Sequence, residues 1–133
     1  MKPKRLNLVV PCFNEEAVLP ETISRLLALL DDLTARKLVS ADSAMTFVDD
    51  GSRDGTWEII ETARARDARV GGIRLSINRG HQHALLAGLL NAPGEVLISL
   101  DAVPPRPIAY EAVEHVSLTR DFLNHREAFL RHL

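Results

Sequence analysis

Short apolar runs alternating with helically spaced stretches predict an α/β protein: a mostly parallel sheet of about four strands flanked by helices, followed by a C-terminal helical tail. Three observations carry this expectation. Apolar runs fall at residues 6–10, 45–48, 73–77 and 95–100. Between them, apolar positions recur at the spacing of one helix face. Each run also ends in polar loop formers, namely Asn14-Glu15, Asp49-Asp50, Asn78-Arg79-Gly80-His81 and Asp101. In parallel sheets, ligands bind outside the carboxyl ends of the strands, so four polar ends at one rim favour a binding crevice there.

The first strand is expected over residues 6–10, with Pro11 ending regular pairing because it lacks an N–H. A helix follows from Glu16 to about Leu38, marked by Leu19, Ile23, Leu26, Leu27, Leu30 and Leu33, with Pro20 tolerated in its first turn. The second strand, residues 45–48, runs straight into two adjacent carboxylates. A second helix is expected over residues 56–68, and Gly71 and Gly72 separate it from a third strand at 73–77. The third helix, residues 83–90, is rich in small residues and stops at Asn91-Ala92-Pro93-Gly94. A fourth strand spans 95–100. From Ile108 onward, apolar residues amid charges predict an amphipathic helix or helix pair.

Composition narrows the function. At 133 residues, with 46% hydrophobic and 26% charged, the chain suits one soluble globular domain. Its net charge of −2 gives no case for nucleic acid as a partner. The lone Cys12 cannot form an internal disulfide, and no run approaches the ~20 apolar residues of a membrane span. The cytoplasm is the expected compartment, with no transmembrane segment in this chain.

The stretch Phe47-Val48-Asp49-Asp50-Gly51-Ser52-Arg53-Asp54-Gly55-Thr56 carries the most chemical information. A turn with a helix cap from Ser52 or Asp54 explains one acid and one hydroxyl, but not the tandem Asp. Removing carboxylates from water is costly unless something pairs with them, which favours a ligand site. Neither G-x-G-x-x-G after the first strand nor G-x-x-x-x-G-K-[ST] occurs, so dinucleotide dehydrogenases and P-loop NTPases are disfavoured. A site built from acids suits a base and ribose, with a metal screening the phosphates.

Pro11-Cys12-Phe13-Asn14-Glu15-Glu16, then residues 48–56, then Asn78-Arg79-Gly80-His81-Gln82 leading to Ala84 and Gly88, resemble the family-2 glycosyltransferases. Within them the chain is most similar to polyprenyl-phosphate glycosyltransferases of the dolichol-phosphate mannosyltransferase kind, over roughly residues 5–105. The resemblance implies a Rossmann-like GT-A nucleotide-binding half over residues 1–105, with the helical tail at 106–133. It implies sugar transfer from a UDP- or GDP-linked nucleotide-diphospho-sugar, with a polyprenyl phosphate as acceptor.

Under the same resemblance, Pro11, Asn14 and Glu15 line the nucleoside pocket, and Asp49 and Asp50 hold base and ribose. Arg79 either approaches the diphosphate or is a solvated loop charge. His81 and His83 suit capping or packing better than metal ligation, because no acid cluster accompanies them. Relatives commonly read D-A-D-L-Q-D-P-P-x-x-I after the fourth strand, whereas this chain reads Asp101-Ala102-Val103-Pro104-Pro105-Arg106-Pro107-Ile108. Asp101 is therefore the expected ligand of Mg²⁺ or Mn²⁺, at a site weakened by valine where a second acid is usual. The family's catalytic base lies beyond the matched span, so no catalytic residue is assigned.

Two other classes remain open at this point: a non-catalytic nucleotide-sugar-binding domain, and a metal-dependent hydrolase using Asp49, Asp50 and Asp101. An uncovered sheet edge also leads to the expectation of a homo-oligomer, or of the tail docking over that surface.

Overall fold

A computed structural model describes residues 2–102 and the backbone of residues 117–119. The elements in order are β1 (Leu6–Cys12), α1 (Leu19–Ala35), β2 (Ala44–Asp49), α2 (Thr56–Arg66), β3 (Val70–Arg74), α3 (His81–Asn91), β4 (Val96–Ser99) and β5 (Ser117–Thr119). The strands lie in the order β3-β2-β1-β4-β5. The first four are parallel, and β5 pairs antiparallel to β4. Among the described residues no helix is long and apolar enough to cross a membrane.

All seven residues of β1, the central strand, are buried. Strand side chains alternate between faces. Leu6, Leu8, Val10 and Cys12, with Met45 and Phe47 of β2, therefore pack against Leu19, Ile23, Leu26 and Leu30 of α1 and Ile60 of α2. Val9, Val48 and Leu97 face the other way, onto Ala84 and Leu89 of α3. Gly88 sets that second contact. A Cβ there would lie 2.4 Å from Val9 Cγ1 and 2.8 Å from Val48 Cγ2, so only glycine lets α3 approach so closely. Asn7 is buried on the α3 side and fully used: it donates to Pro93 O at 2.8 Å and accepts from Thr46 Oγ1 at 3.0 Å.

Several boundaries differ from the sequence expectation, each for a packing or hydrogen-bonding reason. Pro11 does not end β1, which continues in register with β2 through Pro11↔Val48 and Cys12↔Asp49. Cys12 O accepts the Asp50 amide on the β2 side, so alternation turns the Pro11 nitrogen toward β4. The β4 ladder has already stopped at Val9↔Ser99, and the missing N–H costs no bond. Gly71 and Gly72 lie inside β3, which spans 70–74 rather than 73–77. A Cβ on Gly72 would sit 2.8 Å from Ile60 Cγ2 and 3.1 Å from Trp57 Cη2, so α2 packs directly on the glycine backbone.

Helix α1 starts at Leu19, not Glu16, because Glu15 O first closes a turn with the amides of Val18 and Leu19. It stops at Ala35, and Lys37 (φ 58) turns the chain away before Leu38. Helix α3 starts two residues early, at His81, immediately after Gly80 (φ 95). Within the expected helical tail, Ser117–Thr119 form a strand instead, because the outer edge of β4 carries unpaired backbone groups that a strand satisfies. The rest of the tail, and the boundary at residue 105, lie outside the described residues.

Candidate functional site

The carboxyl ends of β1, β2 and β3 open onto two neighbouring cavities. One, of about 200 Å³, is lined by Pro11, Phe13, Glu15, Asp50 and His81 among others. The second, about 530 Å³, is lined by Phe13, Asn14, Ser52, Arg53, Arg74 and Ile77 among others. Phe13 and Asn78 belong to both cavities and form the divide between them. Phe13 is 43% exposed, an unusual state for a large aromatic unless something stacks on it.

Side chains fasten the loop after β1 to the loop after β2. Asn14 takes a left-handed conformation (φ 52), donates its amide to Ser52 Oγ at 2.8 Å, and accepts Arg53 N on its Oδ1 at 2.9 Å. The Glu15 amide donates to Thr56 Oγ1, and the Glu16 carboxylate accepts Gly55 N at 2.8 Å. Asp54 completes the zipper by accepting Thr56 N at 2.9 Å and Glu16 N at 3.3 Å. Of the two residues expected to cap α2, Asp54 therefore holds the first helical amide, while Ser52 holds the β1 loop.

The tandem carboxylates part company. Asp49 is fully buried; its Oδ1 accepts Ser52 N at 3.0 Å, and its Oδ2 has no hydrogen-bond partner. Asp50 is 3% exposed, and its two oxygens accept Arg79 N at 2.7 Å and Gly80 N at 3.0 Å. Burial, and then the charges of Asp49 and Glu15, push the Cys12 thiol far up. That shift disfavours the reactive thiolate.

The site expected from the sequence is thus gathered in part. Pro11, Glu15 and Asp50 share one cavity, and Asn14 lines the next. Asp49 lies beneath them, fully buried, and lines neither. Arg79 is exposed beside the cavity-lining Asn78 and Gly80. Asp101 is exposed past the end of β4, outside both cavities, while the next carbonyl, that of Ala102, is tied to Thr22 Oγ1 at 2.7 Å. Sequence reasoning assigned no role to Phe13 or Asn78 and gave His81 only a capping or packing one. His81 is exposed, lines the smaller cavity, and no side-chain cap is made at that helix end. The available signal was position: each lies in a loop directly after a strand at the rim where ligands bind.

The described residues hold only part of a ligand set for the implied divalent cation. Mg²⁺ or Mn²⁺ wants several oxygen ligands, and among the described residues no three His, Cys, Asp or Glu side chains gather to hold one. Asp101 supplies a single carboxylate, and Val103 lies outside the described residues.

The parallel sheet, helices on both faces and polar carboxyl rim define a Rossmann-like α/β domain of the GT-A type. A mannosyltransferase from Pyrobaculum calidifontis, solved with GDP-Man and Mn²⁺, shares the fold with a TM-score of 0.61 at 24% identity, over 79% of this chain and 30% of that one. Residues 7–102 match the model of glycosyl transferase family 2, and the chain belongs to that family. Among curated relatives, the uncharacterised glycosyltransferase YkoT of Bacillus subtilis (strain 168) is 44% identical over 120 residues, 89% of this chain and 33% of its own length. An undecaprenyl-phosphate 4-deoxy-4-formamido-L-arabinose transferase of Shewanella sediminis is 41% identical over 98 residues, 73% of this chain and 28% of its own. The chain therefore spans about a third of the length of these relatives.

Proposed function

We propose that this chain is the donor-binding half of a glycosyltransferase that moves a sugar from a nucleotide-diphospho-sugar to a polyprenyl phosphate at the cytoplasmic face of a membrane. The observation that carries the reading is the shared cavity at the carboxyl rim, where Pro11, Phe13, Glu15 and His81 surround a space of about 200 Å³ in a member of family 2. Phe13 offers a stacking surface, Glu15 an acceptor for hydroxyl or N–H groups, and exposed Arg79 a partner for the diphosphate. The name of the Shewanella relative supports the acceptor class, and the complex of the Pyrobaculum enzyme supports the donor class. In the reaction, an acceptor phosphate oxygen attacks the anomeric carbon, the bond from that carbon to the diphosphate breaks, and the nucleoside diphosphate leaves with the electron pair.

A second reading, a nucleotide-sugar-binding domain without transfer activity, is favoured by the absence of a metal-capable cluster among the described residues and by Val103. Calorimetric titration of UDP- and GDP-sugars, with and without Mn²⁺, tests what both readings share. Saturable binding is expected, with amide shifts at Phe13, Glu15, Arg79 and His81. Shifts confined to the opposite end of the sheet, around Lys2 and Lys37, would refute the site. Product formation from undecaprenyl phosphate then separates transfer from binding alone.

A further inference from the structure

Both oxygens of Asp50 are already engaged by backbone amides, those of Arg79 and Gly80, the two residues just before α3. A carboxylate reaching across from the end of β2 thus holds the two amides that lead into the helix. The two loops also touch closely here: a Cβ on Gly51 would lie 2.6 Å from the Asn78 amide. Asp50 is nearly fully buried, and the hydrogen bond on each of its oxygens goes to the turn.

The geometry points to Asp50 as a positioning residue that holds the Asn78–Gly80 turn and, through it, presents Arg79 to the diphosphate of a bound nucleotide. The inference rests on the nucleotide-sugar reading above, and it replaces direct contact between Asp50 and the base or ribose. Two consequences are internally consistent. A helix N-terminus is ordinarily a ready anion site, but here a carboxylate already sits just before α3, and its negative charge disfavours a second anion at that end. The positive charge that meets them must then come from a side chain, and a guanidinium is well shaped for phosphate oxygens. Arg79 is the exposed arginine on the turn that Asp50 fixes.

The test compares wild type, Asp50→Asn, Asp50→Ala, Arg79→Ala and the double variant Asp50→Ala/Arg79→Ala, using the full chain and calorimetry with UDP, uridine, GDP and guanosine. For whichever base binds, the diphosphate should lose about tenfold in affinity in Asp50→Ala and in Arg79→Ala, with no further loss in the double variant. Nucleoside affinity should stay within about twofold of wild type. Asp50→Asn keeps a carbonyl acceptor and carries the comparison if the alanine variant unfolds. Hydrogen exchange supplies an independent readout: the amide of residue 79, which donates to Asp50 at 2.7 Å, should exchange faster in the Asp50 variants and stay protected in Arg79→Ala, whereas the Gly80 amide is shared with Asn78 Oδ1 at 3.0 Å. Equal losses for nucleoside and diphosphate would make Asp50 a direct ligand and overturn the inference, as would additive losses in the double variant. Wild type that binds none of the four, with the Arg79 amide still protected, overturns the nucleotide reading and this inference with it.

Discussion

The two ends of the sheet differ in how they use buried polar groups. The amino-terminal end has the larger cavity, about 660 Å³, lined by Lys2, Arg5, Lys37, Asp42 and Glu95 among others. Its ion pair, Arg5 with Asp42 at 3.6 Å, is solvent-exposed, and its buried Ser43 hydroxyl is matched by the Leu6 amide at 2.9 Å. The carboxyl end has smaller spaces, yet there two carboxylates are buried, one with an oxygen left unmatched. Positive-φ residues do not separate the ends: Asn14, Gly51 and Gly80 lie in the loops of that rim, and Lys37 and Gly94 line the amino-terminal cavity. Buried polar atoms cost stability unless matched, so the carboxyl end carries a cost that the amino-terminal end avoids, through an Asp49 oxygen buried beneath its two cavities.

The largest effect that would break this contrast is expected at Gly51. Its φ of 72 is strained for any other residue, and a Cβ would press on the backbone of Ile77 and Asn78 at 2.6–2.7 Å. Gly51→Ala should destabilise the chain by about 3 kcal/mol in denaturant titration, because backbone strain and overpacking act together. A variant as stable as wild type would show that the two loops do not need their close approach.

Asp49→Asn is expected to show whether the deeper carboxylate acts on a ligand at all. Asparagine keeps the acceptor for Ser52 N, so stability should stay within about 1 kcal/mol of wild type. Nucleotide affinity should stay within about twofold of wild type, because Asp49 is fully buried and lines neither rim cavity. A tenfold loss in calorimetry would show that Asp49 does more than hold the turn.

The tandem Asp was legible as a rim feature, and period-two alternation also contained the split between its members. Phe47 faces α1 and α2 while Val48 faces α3, so Asp49 follows Phe47 and Asp50 follows Val48 toward the start of α3. What the sequence could not show was the partner. The amides of Arg79 and Gly80 lie 29 and 30 residues away and carry no side-chain signature. Gly71 and Gly72 misled for a similar reason: local propensity reads them as breakers, but both lie within β3, and Trp57 and Ile60 need the bare backbone of Gly72 to pack that strand under α2. Pro11 misled because alternation turns its nitrogen toward β4, and whether a bond is lost there depends on where β4 stops pairing, which is before Pro11.

The smallest effect, and the one that sharpens the contrast, is the acid response of the zipper at the carboxyl rim. Burial works to raise the Asp54 carboxyl, but the Thr56 hydroxyl and amide and the Glu16 amide together hold it below its ordinary value of 3.8. A carboxyl depressed in the folded state contributes stability that is fully present above the unfolded value and is lost as pH falls through the folded one. The stability difference between wild type and Asp54→Asn should therefore be flat above about pH 5 and shrink below 3.8. Asp42, at the opposite end, is also held low, first by the Ser40 hydroxyl and then by Arg5, but its loop touches no part of the rim. Proton uptake there should leave exchange at the Glu15 and Glu16 amides unchanged, whereas protonating Asp54 should release the Glu16 amide. Parallel pH profiles for wild type and Asp54→Asn would mean that hydrogen bonds to an ionised Asp54 do not hold the two loops together.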